Sequence, residues 1–322
     1  MERYGQELAR LVQAVRHSRK YAQLSAGLIA EIGARELSVR HSLKEAIKAT
    51  KRKLHQVAGA YLASADYDMW LERLRAAAQG GQEGALRDAC RQIMMAHAST
   101  RERLPILDLF YATTLAEIEP PCSVLDVACG LNPLSAPWMP LAPGAIYYAY
   151  DVYEDLSAFL MQALPLLGLQ AVAAARDVLH EPPAAEVDLA LVLKAVPCLD
   201  QIEEGAGARL LQQISARTRH MLVSFPTESL CGRRKGMLAY YEGRFQEMAE
   251  EQGWETKRFV FENEVVFLVS RGEGRGHYDQ HNRGIRGCTP SGGWKPLQPS
   301  RSRPLSADLR SGRQARITRL VL

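Results

Sequence analysis

The chain has 322 residues, of which 47% are hydrophobic and 24% charged. These fractions exclude a collagen-like chain, a disordered chain and a small disulfide scaffold. The six cysteines have no CxxC spacing and no histidine cluster beside them, which argues against a zinc module and favours a reducing compartment. The sequence begins without the apolar run of a signal peptide, and no apolar stretch approaches the about 20 residues of a membrane helix. We therefore expect a soluble, cytoplasmic protein.

The net charge of +4 is unevenly distributed along the chain. Residues 1–60 contain 12 Lys and Arg against 5 Asp and Glu, and residues 271–322 contain 11 against 3. Residues 61–270 therefore contain 17 against 28, a net charge of −11. Basic ends on an acidic body favour contact of the ends with a polyanion. A solvated helix face and a disordered tail explain the same pattern, so charge alone leaves both interpretations open.

The first hundred residues predict a small helical domain with a positive surface. Apolar side chains recur at helical spacing in residues 8–15 and again in residues 43–61. The second of these helices carries on its other side a basic ridge made of Lys44, Lys48, Lys51, Arg52 and His55. Another basic cluster, RHSRKY, occupies residues 16–21.

From about residue 120, short apolar runs alternate with helical patterns, which is typical of an α/β fold with a mostly parallel, doubly wound sheet. The predicted strands are residues 123–129, 145–150, 171–175, 187–193, 220–225, 257–261 and 265–270. The main helices between them are residues 155–167, 203–217 and 237–251. No helix separates the last two runs, so we expect a closing antiparallel hairpin. This arrangement fits a class I, Rossmann-like methyltransferase better than a dinucleotide-binding dehydrogenase.

These patterns divide the chain into a helical domain (residues 1–105), a Rossmann-like domain (106–271) and a basic tail (272–322). The tail is rich in Gly, Arg, Ser and Pro and has little apolar periodicity, which predicts disorder. It either binds RNA electrostatically or is an inert extension, and we favour the inert extension.

Three acidic residues follow or end successive predicted strands. The segment VLDVACGLNP, residues 124–133, contains Asp126 and turns at Gly130, while Asp151 closes the second strand and Asp177 the third. Ligands of open α/β sheets bind beyond the carboxyl ends of strands, where glycine allows close approach to the backbone. A carboxylate after the second strand can accept both ribose hydroxyls, and one after the third can accept the adenine amino hydrogens. Each acid alone fits ordinary turn chemistry, but three in order favour an adenosine cofactor.

Other segments place polar groups near the same edge. HASTRERL, residues 97–104, fits either a capping box of Ser99 and Glu102 or a carboxylate site at a helix N-terminus beside Arg103. The loop after the fifth strand, residues 224–237, contains an aromatic ring, hydroxyls and three consecutive cations. That combination suits an RNA base and phosphates, although a flexible basic loop is the alternative.

Together these blocks resemble the aminoglycoside-resistance 16S rRNA (guanine(1405)-N7)-methyltransferase family over about residues 10–270. The matching motifs are HASTRERL (97–104), LDVACGLNPL (125–134), Asp177-Val178, Lys194 with Pro197, SFPTESL (224–230) and KGM (235–237). The resemblance implies an N-terminal helical domain that docks on the assembled 30S subunit and a domain that binds S-adenosyl-L-methionine. It also implies resistance to kanamycin and gentamicin, and we expect a monomer that does not bind membranes.

The resemblance further implies residue roles. For cofactor binding these residues are His97, Ser99, Thr100, Arg103, Asp126, Ala128, Gly130, Asp151, Asp177 and Val178. Around the target base, as the catalytic set, they are Lys194, Phe225, Lys235 and Met237. For RNA binding they are Arg19, Lys20, Lys44, Lys48, Lys51, Arg52 and Arg233. We expect Phe225 to stack on the base and no metal to be required.

Guanine N7 has a free lone pair and no proton to lose, so alignment with the methyl group suffices and no general base is needed. The nearest alternative keeps the fold and changes the target to adenine N1 of 16S rRNA or to a small molecule. A non-catalytic ribosome-binding factor with a vestigial fold is another alternative. It is disfavoured because Asp126, Asp151 and Asp177 are all present.

Overall fold

The computed structural model describes residues 2–57, 65–81, 84–227 and 237–271. Before the sheet come α1 (Glu2–Arg16), α2 (Ala26–Val39), α3 (Leu43–Val57), α4 (Tyr67–Gln79), α5 (Ala85–Met94), α6 (Ala98–Arg103) and α7 (Leu107–Thr114). The parallel strands are β1 (Ser123–Val127), β2 (Ile146–Asp151), β3 (Gln170–Ala175), β4 (Val187–Leu193) and β5 (Thr218–Pro226). Between and after them lie α8 (Glu154–Leu166), α9 (Val196–Ile202), α10 (Ala206–Ser215), α11 (Met237–Gln252), β6 (Trp254–Val260) and β7 (Glu264–Arg271).

The seven strands form one sheet in the order β3-β2-β1-β4-β5-β7-β6. Strands β1 to β5 run parallel to one another, and β7 runs antiparallel to both β5 and β6. The predicted doubly wound sheet and its closing hairpin are therefore confirmed. The strand order reverses between β1 and β4, and at such a point the loops diverge and leave a crevice for a ligand.

Helices cover both faces of the sheet, which explains why β4 is apolar at every residue from Leu189 to Leu193. One face packs against α4, α5, α7 and α8 through side chains that include Trp70, Phe110 and Phe159. The other face packs against α9, α10 and α11 through a cluster that includes Leu210 and Phe245. Because both faces are covered by helices, polar side chains can lie together only at the ends of the strands.

Helices α1 to α3 bury a separate small core that includes Leu11, Ile29 and Leu54. We call these three helices the N-terminal unit. An isolated antiparallel bridge joins Leu24 to Tyr153, next to the end of β2. The predicted boundary at residue 105 stays a prediction, since α4 and α5 lie beyond this unit and share the core of the sheet.

Several predictions concern residues outside the described ranges. Arg233, Lys235 and the tail at residues 272–322 are among them, and Met237 is described only as the first residue of α11. No helix of the described ranges has the length and apolarity to cross a bilayer. The same part of the chain contains no cluster of three or more His, Cys, Asp and Glu that could hold a metal ion.

Candidate active site at the carboxyl edge of the sheet

The turn after β1 has an unusual backbone. Ala128 and Gly130 have φ values of 52° and 50°, in the left-handed region. The Gly130 N–H donates to Asp151 Oδ2 at 2.8 Å, so the end of β2 fixes the turn. A Cβ atom at Gly130 would lie 2.6 Å from His97 Nε2, closer than atoms can approach. Glycine is therefore required at this position both by the backbone conformation and by the imidazole packed against it.

The end of β4 is strained in the same way. Lys194 has a φ of 57°. In the described ranges, Lys194 and Ala128 are the two non-glycine residues with a positive φ. Its N–H donates to Ser224 O and Oγ at 3.0 and 3.1 Å. Each such conformation costs about 1–3 kcal/mol and is found preferentially at functional sites. The two strained residues end β1 and β4, the strands that flank the switch point of the sheet.

Arg103, the last residue of α6, is buried in a polar network. Its Nε and Nη2 donate to the two carboxylate oxygens of Glu264 at 2.7 and 2.9 Å, and its Nη1 donates to Asn132 Oδ1 at 2.9 Å. Burial alone would lower the pKa of Arg103, but the Glu264 charge raises it above the usual value. The guanidinium has five N–H groups, and these contacts with described residues use three. Two of its N–H groups thus lie outside these three contacts.

Glu264, the first residue of β7, holds Arg103 in place and was missed by sequence reasoning. It is fully buried and also accepts a hydrogen bond from Ser224 Oγ at 2.8 Å. Burial favours the protonated form, yet the charge of Arg103 keeps the pKa of Glu264 below its usual value. The available signal was a lone acid at the start of an apolar strand, because such an acid needs a buried partner.

Asp126 lies beneath the turn and belongs to the same network. Its Oδ2 accepts hydrogen bonds from Asn132 Nδ2 and Tyr147 OH, each at 2.8 Å. Burial raises the pKa of Asp126 to about 7. Asn132 therefore connects Asp126 to Arg103, and perturbed carboxyls of this kind are concentrated at functional sites.

The acids at the end of β2 and after β3 lie along the same edge, because β3, β2 and β1 are consecutive parallel strands of the sheet. Asp151 is half-buried, which raises its pKa, and its Oδ1 accepts the Val152 N–H at 2.7 Å. Asp177 is 6% exposed and accepts hydrogen bonds from the Leu179 N–H at 3.1 Å and from His180 Nδ1 at 2.8 Å. Val178 beside it is buried. Asp126, Asp151 and Asp177 thus follow one another along this edge of the sheet.

The segment before the sheet supports the turn from below. His97 precedes α6, its Nδ1 lies 3.0 Å from Ser99 Oγ, and burial lowers its pKa to about 4. The Thr100 hydroxyl is fully buried and donates to Met94 O at 2.6 Å. The capping-box alternative for Ser99 and Glu102 is wrong, because α6 begins at Ala98 with His97 as its N-cap and without a side-chain cap. Glu102 instead forms an ion pair with Lys194 Nζ at 2.8 Å.

The structure contradicts the stacking role predicted for Phe225. This side chain is 1% exposed and packs against Tyr241, Phe245 and Phe267, with ring centroids 5.7, 5.8 and 6.2 Å away. Successive side chains of a strand point to opposite faces. Ser224 therefore faces Glu264 at the polar network, while Phe225 lies in the core beneath α11.

The comparisons with known proteins identify the family. The sequence model described as ribosomal RNA methyltransferase (FmrO) matches residues 17–269. The chain belongs to this family. A 16S rRNA (guanine(1405)-N(7))-methyltransferase of Frankia casuarinae is 37% identical over 270 residues, which cover 83% of this chain and 94% of the relative. Another of the same name, from Micromonospora echinospora, is 34% identical over 262 residues, 80% of this chain and 95% of the relative.

Solved structures agree with this family assignment. The 16S rRNA methyltransferase RmtF in complex with S-adenosyl-L-homocysteine matches this methyltransferase with a TM-score of 0.69 and 27% identity, over 83% of this chain and 98% of its own. The 16S rRNA methylase RmtB matches with a TM-score of 0.65 and 29% identity, over 82% and 98%. The predicted family and class I fold are confirmed. S-adenosyl-L-homocysteine is the demethylated form of S-adenosyl-L-methionine, which supports the predicted cofactor.

The N-terminal unit of this FmrO-family methyltransferase brings its two basic clusters together. Lys20 Nζ lies 2.8 Å from His55 Nδ1, and Lys51 Nζ donates to Ser18 Oγ at 2.5 Å. Arg19, Lys20, Lys44, Lys48 and Arg52 are exposed, and Lys51 is half-buried. The basic ridge and residues 16–21 are therefore in contact with each other through these two pairs.

Proposed function

We propose that this enzyme transfers a methyl group from S-adenosyl-L-methionine to N7 of guanine 1405 of 16S rRNA within the assembled 30S subunit. The observation that carries the proposal is the series Asp126, Asp151 and Asp177 along one edge of a class I sheet, beside the turn at Gly130. Two relatives named for this activity match this chain over 95% and 94% of their own length. The choice of N7 of guanine 1405 as the target atom rests on the names of those relatives.

The residues at the edge fit this cofactor. Asp151 would accept the ribose hydroxyls and Asp177 the adenine amino group, because carboxylates are strong acceptors. The two remaining N–H groups of Arg103 would bind the methionyl carboxylate. The backbone from Ala128 to Gly130 would line the methionine portion, with the His97 imidazole filling the space that a Cβ of residue 130 would take. His97, Ser99 and Thr100 would hold this turn, and Val178 would flank the adenine.

The chemistry requires positioning more than acid–base catalysis. The cofactor supplies an electrophilic methyl group on a sulfonium, and guanine N7 supplies a lone pair without losing a proton. The protein must therefore bring the two into line, and fixed geometry of this kind is a large source of rate enhancement. Turning the base out of its stack costs a few kcal/mol. We assign contact with the base to Lys194, Lys235 and Met237, but not to Phe225, which is buried in the core.

We assign docking on the 30S subunit to the N-terminal unit. The positive surface formed by Arg19, Lys20 and the basic ridge would contact phosphates, which position a protein on RNA without reading its sequence. Arg233 would add a contact close to the base. Such binding weakens as salt concentration rises, because each phosphate contact releases counterions. We expect the enzyme to act as a monomer in the cytoplasm, where ribosomes are found.

The pattern of drug resistance tests this function in cells. A susceptible bacterium that expresses the enzyme should become resistant to kanamycin and gentamicin and remain sensitive to apramycin. Cells that express Asp151→Ala should remain sensitive to all three drugs, which controls for effects of expression. Resistance to apramycin would instead favour adenine N1 as the target. No resistance from an enzyme that binds its cofactor would point to another substrate.

A further inference from the structure

His180 joins the cofactor edge of the sheet to the N-terminal unit. Its Nδ1 lies 2.8 Å from Asp177 Oδ2, and an ionised carboxylate can only accept, so Nδ1 carries the proton. The other oxygen of Asp177 accepts the Leu179 N–H at 3.1 Å. Both oxygens of Asp177 are thus oriented by residues of its own loop, and His180 supplies one of the two bonds.

The other ring nitrogen of His180 meets helix α2. Its Nε2 lies 3.3 Å from Glu31 Oε1 and 3.3 Å from Arg35 Nη2. Arg35 in turn donates to Glu203 Oε2 at 2.6 Å, just after α9. The His180 side chain is 32% exposed, and contacts with this much solvent around them contribute little to stability. Orientation of the imidazole is therefore the main consequence of these contacts.

The backbone joins the same two regions near Asp151. Ser25 N–H donates to Val152 O at 2.8 Å, and Glu154 N–H donates to Gln23 O at 2.8 Å. The Arg16 guanidinium also pairs with Glu154 at 2.8 Å. The N-terminal unit therefore contacts the loop that follows each of the two acids assigned to the nucleoside.

We propose that His180 is a positioning residue for Asp177, and that Glu31 and Arg35 of α2 hold His180 in place. The adenosine site then includes a helix of the same unit that carries the basic ridge. This inference rests on the proposed function, because it takes Asp177 as the residue that accepts the adenine amino hydrogens. It adds residues that do not touch the cofactor and act through Asp177.

A pair of ligands that differ at the adenine amino group tests this role. We would measure the affinity of the full-length enzyme for S-adenosylhomocysteine and for S-inosylhomocysteine, in which a keto oxygen replaces the amino group. The wild type should prefer S-adenosylhomocysteine by about tenfold or more, because a lost charged hydrogen bond leaves a buried acceptor unpaired. His180→Ala should reduce this preference to about threefold or less. His180→Asn should retain most of it, since its Nδ2 can replace the Nδ1 donor.

Equal loss of affinity for both ligands in His180→Ala would show a merely structural role and overturn the proposal. The α2 contact has its own test. Arg35→Ala should weaken the preference, and adding it to His180→Ala should change little further, because coupled residues are not additive. Arg40→Ala is the matched control. It removes the ion pair between Arg40 and Glu36 of α2, and neither residue is among the partners of His180 named above. An additive double variant, or an equal effect of Arg40→Ala, would contradict the α2 contact.

Asp177→Asn separates this inference from the proposed function. If the wild type binds neither ligand, or if Asp177→Asn keeps the full preference, the proposed adenosine site is wrong. If Asp177→Asn loses the preference and His180→Ala keeps it, the site stands and the role of His180 is wrong. Loss of the preference in both variants, with rescue by His180→Asn, supports both proposals.

Discussion

Charged residues serve opposite purposes in the basic ridge and in the network around Arg103. The ridge cations Lys44, Lys48 and Arg52 are exposed, where one ion pair contributes about 0–1 kcal/mol to stability. Arg103 and Glu264 are 1% and 0% exposed, where loss of one partner costs about 3–5 kcal/mol. The contrast teaches that burial decides the role: solvated cations remain available to a polyanion, whereas desolvated charges fix the shape of the site.

Glu264→Ala should have the largest effect on stability. It leaves the buried Arg103 without its counter-charge, so the free energy of unfolding should fall by about 3–5 kcal/mol. Urea denaturation followed by circular dichroism measures this change. Glu117→Ala is the matched control, because it breaks an exposed pair with Lys257 and should cost less than about 1 kcal/mol. Equal losses in the two variants would remove the distinction between buried and exposed charges.

Asp151→Ala should abolish cofactor binding. The substitution removes the acceptor for the ribose hydroxyls and the bond that fixes the turn at Gly130. Calorimetric titration with S-adenosylmethionine measures the effect. Asp155→Ala is the control, since it removes a neighbouring acid whose Oδ1 accepts the Leu156 N–H of α8. Normal binding by Asp151→Ala would refute the ribose assignment.

Reversal of Lys48, Lys51 and Arg52 to Glu should remove binding to the 30S subunit and spare Tm and cofactor affinity. Opposite charge repels phosphates. Lys48 and Arg52 are exposed, and the half-buried Lys51 loses one side-chain hydrogen bond, to Ser18, so folding should be little affected. Co-sedimentation with 30S subunits at several salt concentrations measures the loss. A second triple reversal, at Arg244, Lys257 and Arg258, makes the same change in net charge on α11 and β6. Equal losses from both variants, or retained methylation by the first, would contradict a role specific to the ridge.

Asp126→Asn should have an effect on stability that depends on pH. Burial raises the pKa of Asp126 from 3.8 to about 7 on folding. Below the lower value both states hold the proton. Between pH 3.8 and about 7 only the folded state holds the proton, so the wild type loses stability as the pH rises through this range. The Tm of Asp126→Asn minus that of the wild type should therefore be larger at pH 8 than at pH 4. A difference that does not vary with pH would contradict the raised pKa.

The sequence predicts the sheet well because its pattern is local. The predicted strand at residues 187–193 coincides with β4. A mainly apolar run of this length, bounded by turn signals, fits a buried strand and is too short for a helix. Asp126, Asp151 and Asp177 could also be placed, because parallel strands end at one edge. These inferences need only the order of elements along the chain.

The sequence predicts long-range partners poorly. Glu264 and Arg103 are 161 residues apart, and no local pattern connects them. Phe225 was misplaced because the face that a side chain takes at the end of a strand depends on register, here with Val265 of β7. The contact of His180 with α2 likewise depends on how the N-terminal unit packs against the sheet. Tertiary packing decides all three positions.

The central claim is methylation of one guanine of the 30S subunit, and transfer of labelled methyl tests it most directly. Purified enzyme and labelled S-adenosylmethionine would be incubated with 30S subunits, naked 16S rRNA or 50S subunits, and the modified base mapped by cleavage at N7-methylguanine. We predict label on 30S subunits alone, at guanine 1405. Label at another base, label on naked rRNA as strong as on 30S, or no label on 30S despite cofactor binding would contradict the proposed substrate.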